Sequence, residues 1–330
     1  MPLDGLLSPV TADDLLPSIT AQGTYGGRLY SVGTFDSGLG LFASRKRLEE
    51  AGVRLPGSVG DAWNAVEFDD VLAALAAKDH DGAVLDLKLN YSGEWFTYAF
   101  SPILQSAGGG LIDRKSLRKA SGVLNGAASV AALTRVQRWI GKGYVDANLD
   151  DAAFTAGRAS LSWVGHWEYD RYRESLGDDL VLLPLPDFGM GSRTGQGSWN
   201  WGITKACRDP LAAMAFLEFL LRPEEVLAMA DANGAVPATR GAIARSDLYA
   251  EGGPLRLFVD QIDAGAAVPR PRTPAYPVIT SAFQEVFDDI RNGGDVQDAL
   301  DRAASTIDED IDDNRGYDTG IGITPDETEE

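Results

Sequence analysis

Seven aromatic residues could do the most chemistry in this sequence. Trp95, Tyr98, Trp163, Trp167, Trp199, Trp201 and Tyr276 fall near loops, glycines or strand ends. A sugar ring presents an apolar C–H face that stacks on an indole, while its hydroxyls need carboxylate, amide and guanidinium partners. A carbohydrate pocket therefore needs aromatics together with a few Asp, Asn, Glu or Arg. Taken singly, each tryptophan reads more readily as core packing than as a ligand platform.

Other chemistries have less to work with. There are two histidines, His80 and His166, with no HxxxH or HExxH spacing and no CxxC, so a metal enzyme or a Ser-His-Asp hydrolase has no motif. His166 reads equally as a donor to a ligand hydroxyl or as a packed neutral ring. One cysteine, Cys207, forms no intrachain disulfide and reads as packed and inert. The run from Gly189 to Gly197, GMGSRTGQG, has the glycine content of a phosphate loop without GxGxxG spacing, and reads as a linker. Asp308, Asp310 and Asp312 alternate like calcium-loop ligands. Asp313 sits where the turn glycine belongs and no closing glutamate follows, so an acidic helix end is expected. No cofactor is expected.

Bulk properties narrow the class. A chain of 330 residues favours two lobes over one core. The net charge of -20 disfavours nucleic acid and anionic membrane surfaces; it reads first as solubility, with a salty habitat as a weaker reading. No apolar run reaches the length of about 18 residues that a membrane span needs. The opening MPLDGLLSPVTADDLLPSI lacks the basic and apolar regions of a signal peptide.

Helices and short strands must hold these residues. Helical patterns begin near Thr11 and cover 45–52, 68–78, 95–107, 126–142, 168–176, 209–221, 224–233, 276–290 and 295–311. LYSVGTF, LGLFAS, DLVLLPLP and GSWNWGITK read as strands, and FTAGRASLSWVGHW as a helix that breaks at Gly157 and continues as strand. The mixture predicts an α/β protein with parallel or mixed sheets. The acidic end, from 312, is expected to be disordered.

Several motifs then fall in one order. YGGRLYSV, the run Asp36 to Phe42, RKRLEEAGVRLP, GVLNGAASVAALTRVQRWIGKGYV, FTAGRASLSWVGHW, GSWNWGITKACRDPLAAMAFLEFLLRPEEVLAMADANGAVPA and PRPRTPAYPVITSAFQEVF resemble successive segments of family 1 extracellular solute-binding proteins of sugar ABC importers. The similarity covers residues 5–315. It implies the two-lobed, type II fold of periplasmic binding proteins. Residues 1–40 and 191–248 would form lobe one, and 41–190 and 249–315 lobe two, with 316–330 an acidic tail.

The resemblance also implies roles. Asp36 would offer a carboxylate to sugar hydroxyls where the chain crosses between lobes. Trp167 and Trp199 would be stacking platforms, with Gly197 and Ser198 offering backbone amides. Arg272 and Tyr276 would reach the cleft, and Trp95, beside Glu94, would contribute. Trp199 and Trp201 share a face on a regular strand, so Trp199 is expected to meet ligand and Trp201 to pack beneath it. The partners would be a carbohydrate and the permease subunits of an importer, the location extracytoplasmic, and the protein a monomeric binder without catalysis. Family members carry a further N-terminal stretch, so lobe one is expected to be incomplete and to expose strand edges. Two rival readings are a glycoside hydrolase using Asp36 and Glu168, and a sensor-coupled sugar receptor.

Overall fold

The computed structural model describes residues 1–317. At its centre lies LGLFAS, the strand Leu39–Ser44, buried at every position because elements cover both its faces. It pairs antiparallel with Leu161–Gly165 on one side and Leu180–Leu183 on the other. Leu85–Asp86 joins the outer edge of Leu161–Gly165 in parallel, which makes a mixed four-stranded sheet. The register places Leu41 between Trp163 and Leu183.

Helices close over this sheet because their apolar residues recur at helical steps. Glu94–Ser106 is buried along almost its whole length. Its Phe100 stacks on Phe287 of helix Tyr276–Arg291, with ring centroids 4.4 Å apart and planes at 21°. Helix Val296–Asp313 buries Val296, Leu300, Ala303, Ile307 and Ile311, one stripe at steps of three and four. Helix Ala65–Ala76 starts on a capping box: Asn64 accepts from the N–H groups of Val66 and Glu67, and Glu67 accepts from the N–H of Asn64. Its Phe68 packs between Trp63 and Trp139.

A second group of elements uses shorter strands. Ser31–Gly33 pairs with Asn200–Gly202, and Phe35–Asp36 with Val236–Pro237, both antiparallel. Around them lie helices Pro9–Asp14, Pro17–Gly23, Pro210–Leu220 and Pro223–Asn233. Each of these four begins with proline, whose missing N–H costs nothing at a first turn. The fold is two-lobed α/β, and between Asp36 and Leu39 the chain passes from one group to the other.

Several sequence expectations are corrected. The helix expected over 11–21 is two helices, because Leu15 and Leu16 turn extended ahead of Pro17. LYSVGTF is split into Arg28–Leu29, Ser31–Gly33 and Phe35–Asp36. Residues 154–157 form a turn rather than a helix, and only Asn200–Gly202 of GSWNWGITK is strand. Order extends past 312: the last helix runs to Asp313 and a 3-10 turn follows at Arg315–Tyr317. The remainder of the expected tail, 318–330, lies outside the described residues. Asp308, Asp310 and Asp312 sit inside that helix, so alternate residues point to opposite sides; Asp308 accepts from the N–H groups of Ala120 and Ser121 instead of holding an ion. Among the described residues no helix is long and apolar enough to cross a membrane.

His166 joins the two groups. It follows the strand Leu161–Gly165, and its Nδ1–H donates to the carbonyl of Asn233, 3.1 Å away, in the second group. The ring packs edge-on against Trp167 and Phe258. The ring is buried, which fits the packed reading of this residue. Burial pushes the imidazole down to about 4, against a weaker upward pull from the Asn233 bond.

Two predictions follow from this packing. Phe287→Ala removes a ring stacked in the core and should destabilise the protein by about 3–5 kcal/mol in urea unfolding; a loss under about 1 kcal/mol would mean that the stack contributes little. For His166, the unfolded chain takes up the proton first, near 6.5. Its contribution is therefore complete above that pH and is lost as the pH falls toward about 4, by ~3 kcal/mol in all. His166→Gln cannot titrate and keeps a donor for Asn233, so its stability should slope less with pH in this window. Equal slopes for the two proteins would assign the acid sensitivity elsewhere.

Candidate functional site

Asp36 ends a short strand and has no exposed surface. Its Oδ1 accepts from the Ser37 N–H at 2.8 Å and from Gln22 Nε2 at 3.3 Å, and its Oδ2 from Gln196 Nε2 at 3.2 Å. These donors come from helix Pro17–Gly23, from the crossing itself and from the segment after Thr194–Gly195. The next residue, Ser37, shares a hydrogen bond of 2.8 Å with the Tyr98 hydroxyl. Burial raises that phenol well above its ordinary range, so it stays neutral and able to donate.

Tyr98 belongs to helix Glu94–Ser106, whose first turn also carries Trp95. Trp167 stands beside both rings, 6.2 Å from Trp95 at 80° and 6.4 Å from Tyr98 at 37°. It can do so because residue 165 is glycine: a Cβ there would lie 2.1 Å from the Trp167 ring. Trp167 is 37% exposed. Trp95 is buried, and its Nε1–H donates to the Leu87 carbonyl at 3.3 Å. Of the pair, Trp167 is thus the more open ring, and Trp95 packs edge-on against it.

Arg270 connects this aromatic group to the crossing segment. Its Nε donates to Glu94, its Nη1 donates to the Gln196 carbonyl at 3.0 Å, and its guanidinium lies 4.9 Å from the Tyr98 ring centroid. Tyr276 donates from its hydroxyl to Glu94 Oε1 at 2.9 Å. Gly197 makes room for Arg270, since a Cβ would come within 2.1 Å of Nη1, and its φ of +125° suits glycine. The Ser198 N–H donates to Gln22 Oε1 at 3.2 Å, which ties Gln22 to both Asp36 and the glycine turn.

Asp36, Trp95, Trp167, Gly197, Ser198 and Tyr276 therefore belong to one chain of contacts. Arg272 lies to one side, donating to the carbonyls of Ala21 at 2.7 Å and Thr24 at 3.4 Å. With Gln22, Tyr25, Tyr30 and Pro274 it lines a groove of about 440 Å³. Trp199 is 82% exposed and, among the described residues, has no ring contact with the cluster. Trp201 does not pack beneath it: that side chain is 43% exposed, because its strand belongs to a two-stranded ribbon that leaves this indole uncovered. Gln22, Gln196 and Arg270 were not singled out from sequence. The resemblance singled out Arg272, and only the fold distinguishes it from Arg270.

Beneath Trp167 runs a buried polar network. Lys88 has no exposed side-chain surface and pairs with Asp86 at 3.1 Å and Asp151 at 2.9 Å. Glu168, next to Trp167, pairs with Arg171 at 2.6 Å and accepts from the Tyr91 hydroxyl at 3.3 Å. The two carboxylates considered for hydrolysis, Asp36 and Glu168, are thus both engaged by donors of this chain. Among the described residues no group of His, Cys, Asp and Glu could hold a metal.

Known proteins resemble this chain. An uncharacterized lipoprotein in the oleD 5' region of Streptomyces antibioticus is 26% identical over 254 residues, 73% of this chain and 54% of the relative. The chain thus spans about half the length of that curated relative. Among solved structures, the cyclic α-maltosyl-1,6-maltose binding protein of Arthrobacter globiformis is 22% identical with a TM-score of 0.77, covering 94% of this chain and 80% of that one. UgpB of Mycobacterium tuberculosis, solved with glycerophosphocholine, is 19% identical with a TM-score of 0.76, covering 95% and 79%. At such identities the likeness is one of fold. A model of bacterial extracellular solute-binding proteins matches residues 2–253, and this chain belongs to that family.

Proposed function

We propose that this protein is the substrate-binding component of an ABC importer, taking up a carbohydrate between its lobes and delivering it to the permease. The observation that carries the reading is the partly exposed indole of Trp167, in contact with Trp95 and with Tyr98, which in turn meets Ser37 and Arg270. An indole face suits the C–H face of a sugar ring, and the neighbouring amides, hydroxyls and guanidinium suit its hydroxyls. Membership of an extracellular solute-binding family and a lipoprotein relative support an extracytoplasmic location. A binding protein for a maltose-containing cyclic sugar is among its structural neighbours, which supports a carbohydrate ligand.

The lobes would divide at residues 40, 190 and 248; Asp36 and Gln196 lie near the first two, and Arg270 reaches back to the Gln196 carbonyl. Ligand would bind one lobe first and favour the closed arrangement by touching both. Trp167 and Tyr276 would contact the sugar from the larger lobe, with Trp95 supporting Trp167. Gly197 and Ser198 would shape the crossing, and Asp36 would act through the amides it holds. Arg272 and Trp199 would sit at the margin, where the groove beside Arg272 opens. The closed form would then engage the permease without catalysis.

Tryptophan fluorescence and calorimetry against a panel of sugars, with maltose and larger malto-oligosaccharides first, test this reading. At least one should bind saturably, and Trp167→Ala should weaken it about tenfold or more, which is ~1.4 kcal/mol. A folded protein that binds none of them, or a Trp167→Ala variant that binds as well as the parent, would refute the assignment or the platform respectively.

A further inference from the structure

The cation at the centre of the site is matched by an acid. Arg270 donates to Glu94 through Nε, and the side chains are 33% and 44% exposed, so the pair is partly withdrawn from water yet still accessible. Tyr276 donates to the same carboxylate oxygen, and the Gln196 carbonyl accepts from Arg270 Nη1. Nearby cations are held in the same way. Arg171 is shared by Glu168 and Asp151, and Lys88 by Asp86 and Asp151. Arg272 donates to main-chain carbonyls. Asp36, fully buried, adds a carboxylate behind Gln22 and Gln196.

We infer that Glu94 is a specificity-determining residue: by holding Arg270 in an ion pair it makes the site select uncharged polyhydroxyl ligands and reject anionic ligands of the same shape. This rests on the carbohydrate reading and deepens it. A hydroxyl both donates and accepts, so it can bond an N–H of Arg270, the Tyr276 oxygen or a lone pair of Glu94 without disturbing the pair. A carboxylate or phosphate only accepts. To reach Arg270 it must sit beside Glu94 or displace it, and a displaced carboxylate in a partly buried site loses its compensation. The chain's net charge of -20 adds a longer-range repulsion that salt screens. Burial alone would raise the Glu94 carboxyl, but the Arg270 hydrogen bond and charge outweigh it and the group lies below its ordinary range, so it is ionised at neutral pH.

The test compares two probes that differ only at C6, a hydroxymethyl in methyl α-glucoside and a carboxylate in methyl α-glucuronide, by calorimetry at low salt. The parent protein should prefer the glucoside by at least tenfold. Glu94→Gln keeps the shape and an acceptor for Tyr276 but leaves Arg270 unneutralised, so the ratio of the two dissociation constants should move at least tenfold toward the glucuronide. Arg270→Gln should move it the other way, and it keeps the test alive if Glu94→Gln fails to fold. Melting curves establish that each variant is folded. A parent that prefers the glucuronide, or a ratio that neither variant moves, overturns the inference while sugar binding itself stands. If neither probe binds the parent but Glu94→Gln acquires glucuronide binding, the charge role of Glu94 is upheld. If no folded protein binds either probe, the inference fails, and the separate malto-oligosaccharide panel decides whether the carbohydrate reading fails with it.

Discussion

A carboxylate without exposed surface must be hydrogen-bonded where it lies, and much of this site follows from that requirement at Asp36. Water cannot serve it, so the chain does. The Ser37 N–H comes from the crossing, Gln22 from a helix in one lobe and Gln196 from the segment that returns between the lobes. Each donor is then placed by what else it touches. Gln22 also accepts from the Ser198 N–H, and the Gln196 carbonyl accepts from Arg270. One buried acid thus ties its own crossing to the nearby helix Pro17–Gly23 and to Gln196, which is far away in sequence. Asp36, which the family pattern suggests for sugar contact, accepts hydrogen bonds from three groups of this chain.

The apolar half of the site has a different origin. Trp167 is held beside Trp95 and Tyr98 by the sheet and helix beneath it, and its freedom to fold back depends on the missing side chain at Gly165. Under this platform Lys88, Asp86 and Asp151 form a closed charge network, whose buried members remain paired. Support of this kind fixes the position of the partly exposed Trp167 indole.

Much of the fold was legible in the sequence, where the periodic signal was strong. LGLFAS was a fully apolar run and became the central strand; Val296 to Asp313 carried an apolar stripe and became a helix. Weak signals failed for physical reasons. Leu15, Leu16 and Pro17 read as helix until proline's restriction on its neighbour is counted. Trp201 read as buried because tryptophans usually are, but burial needs a covering element, and its two-stranded ribbon leaves it exposed.

The sequence by itself determined the class of protein and its family, because these reside in composition, apolar period and the order of motifs. Tertiary structure alone decided which residues meet. Glu94 and Arg270 are separated by most of the chain and become an ion pair, whereas Arg272, two residues on, turns to the carbonyls of another helix. Trp199 and Trp167 are equally good platforms as residue types, but of the two, among the described residues, only Trp167 has neighbouring rings to hold it. Hydrogen bonding and ring packing depend on distance in space and on the direction of each side chain. A single sequence records neither until the chain has folded.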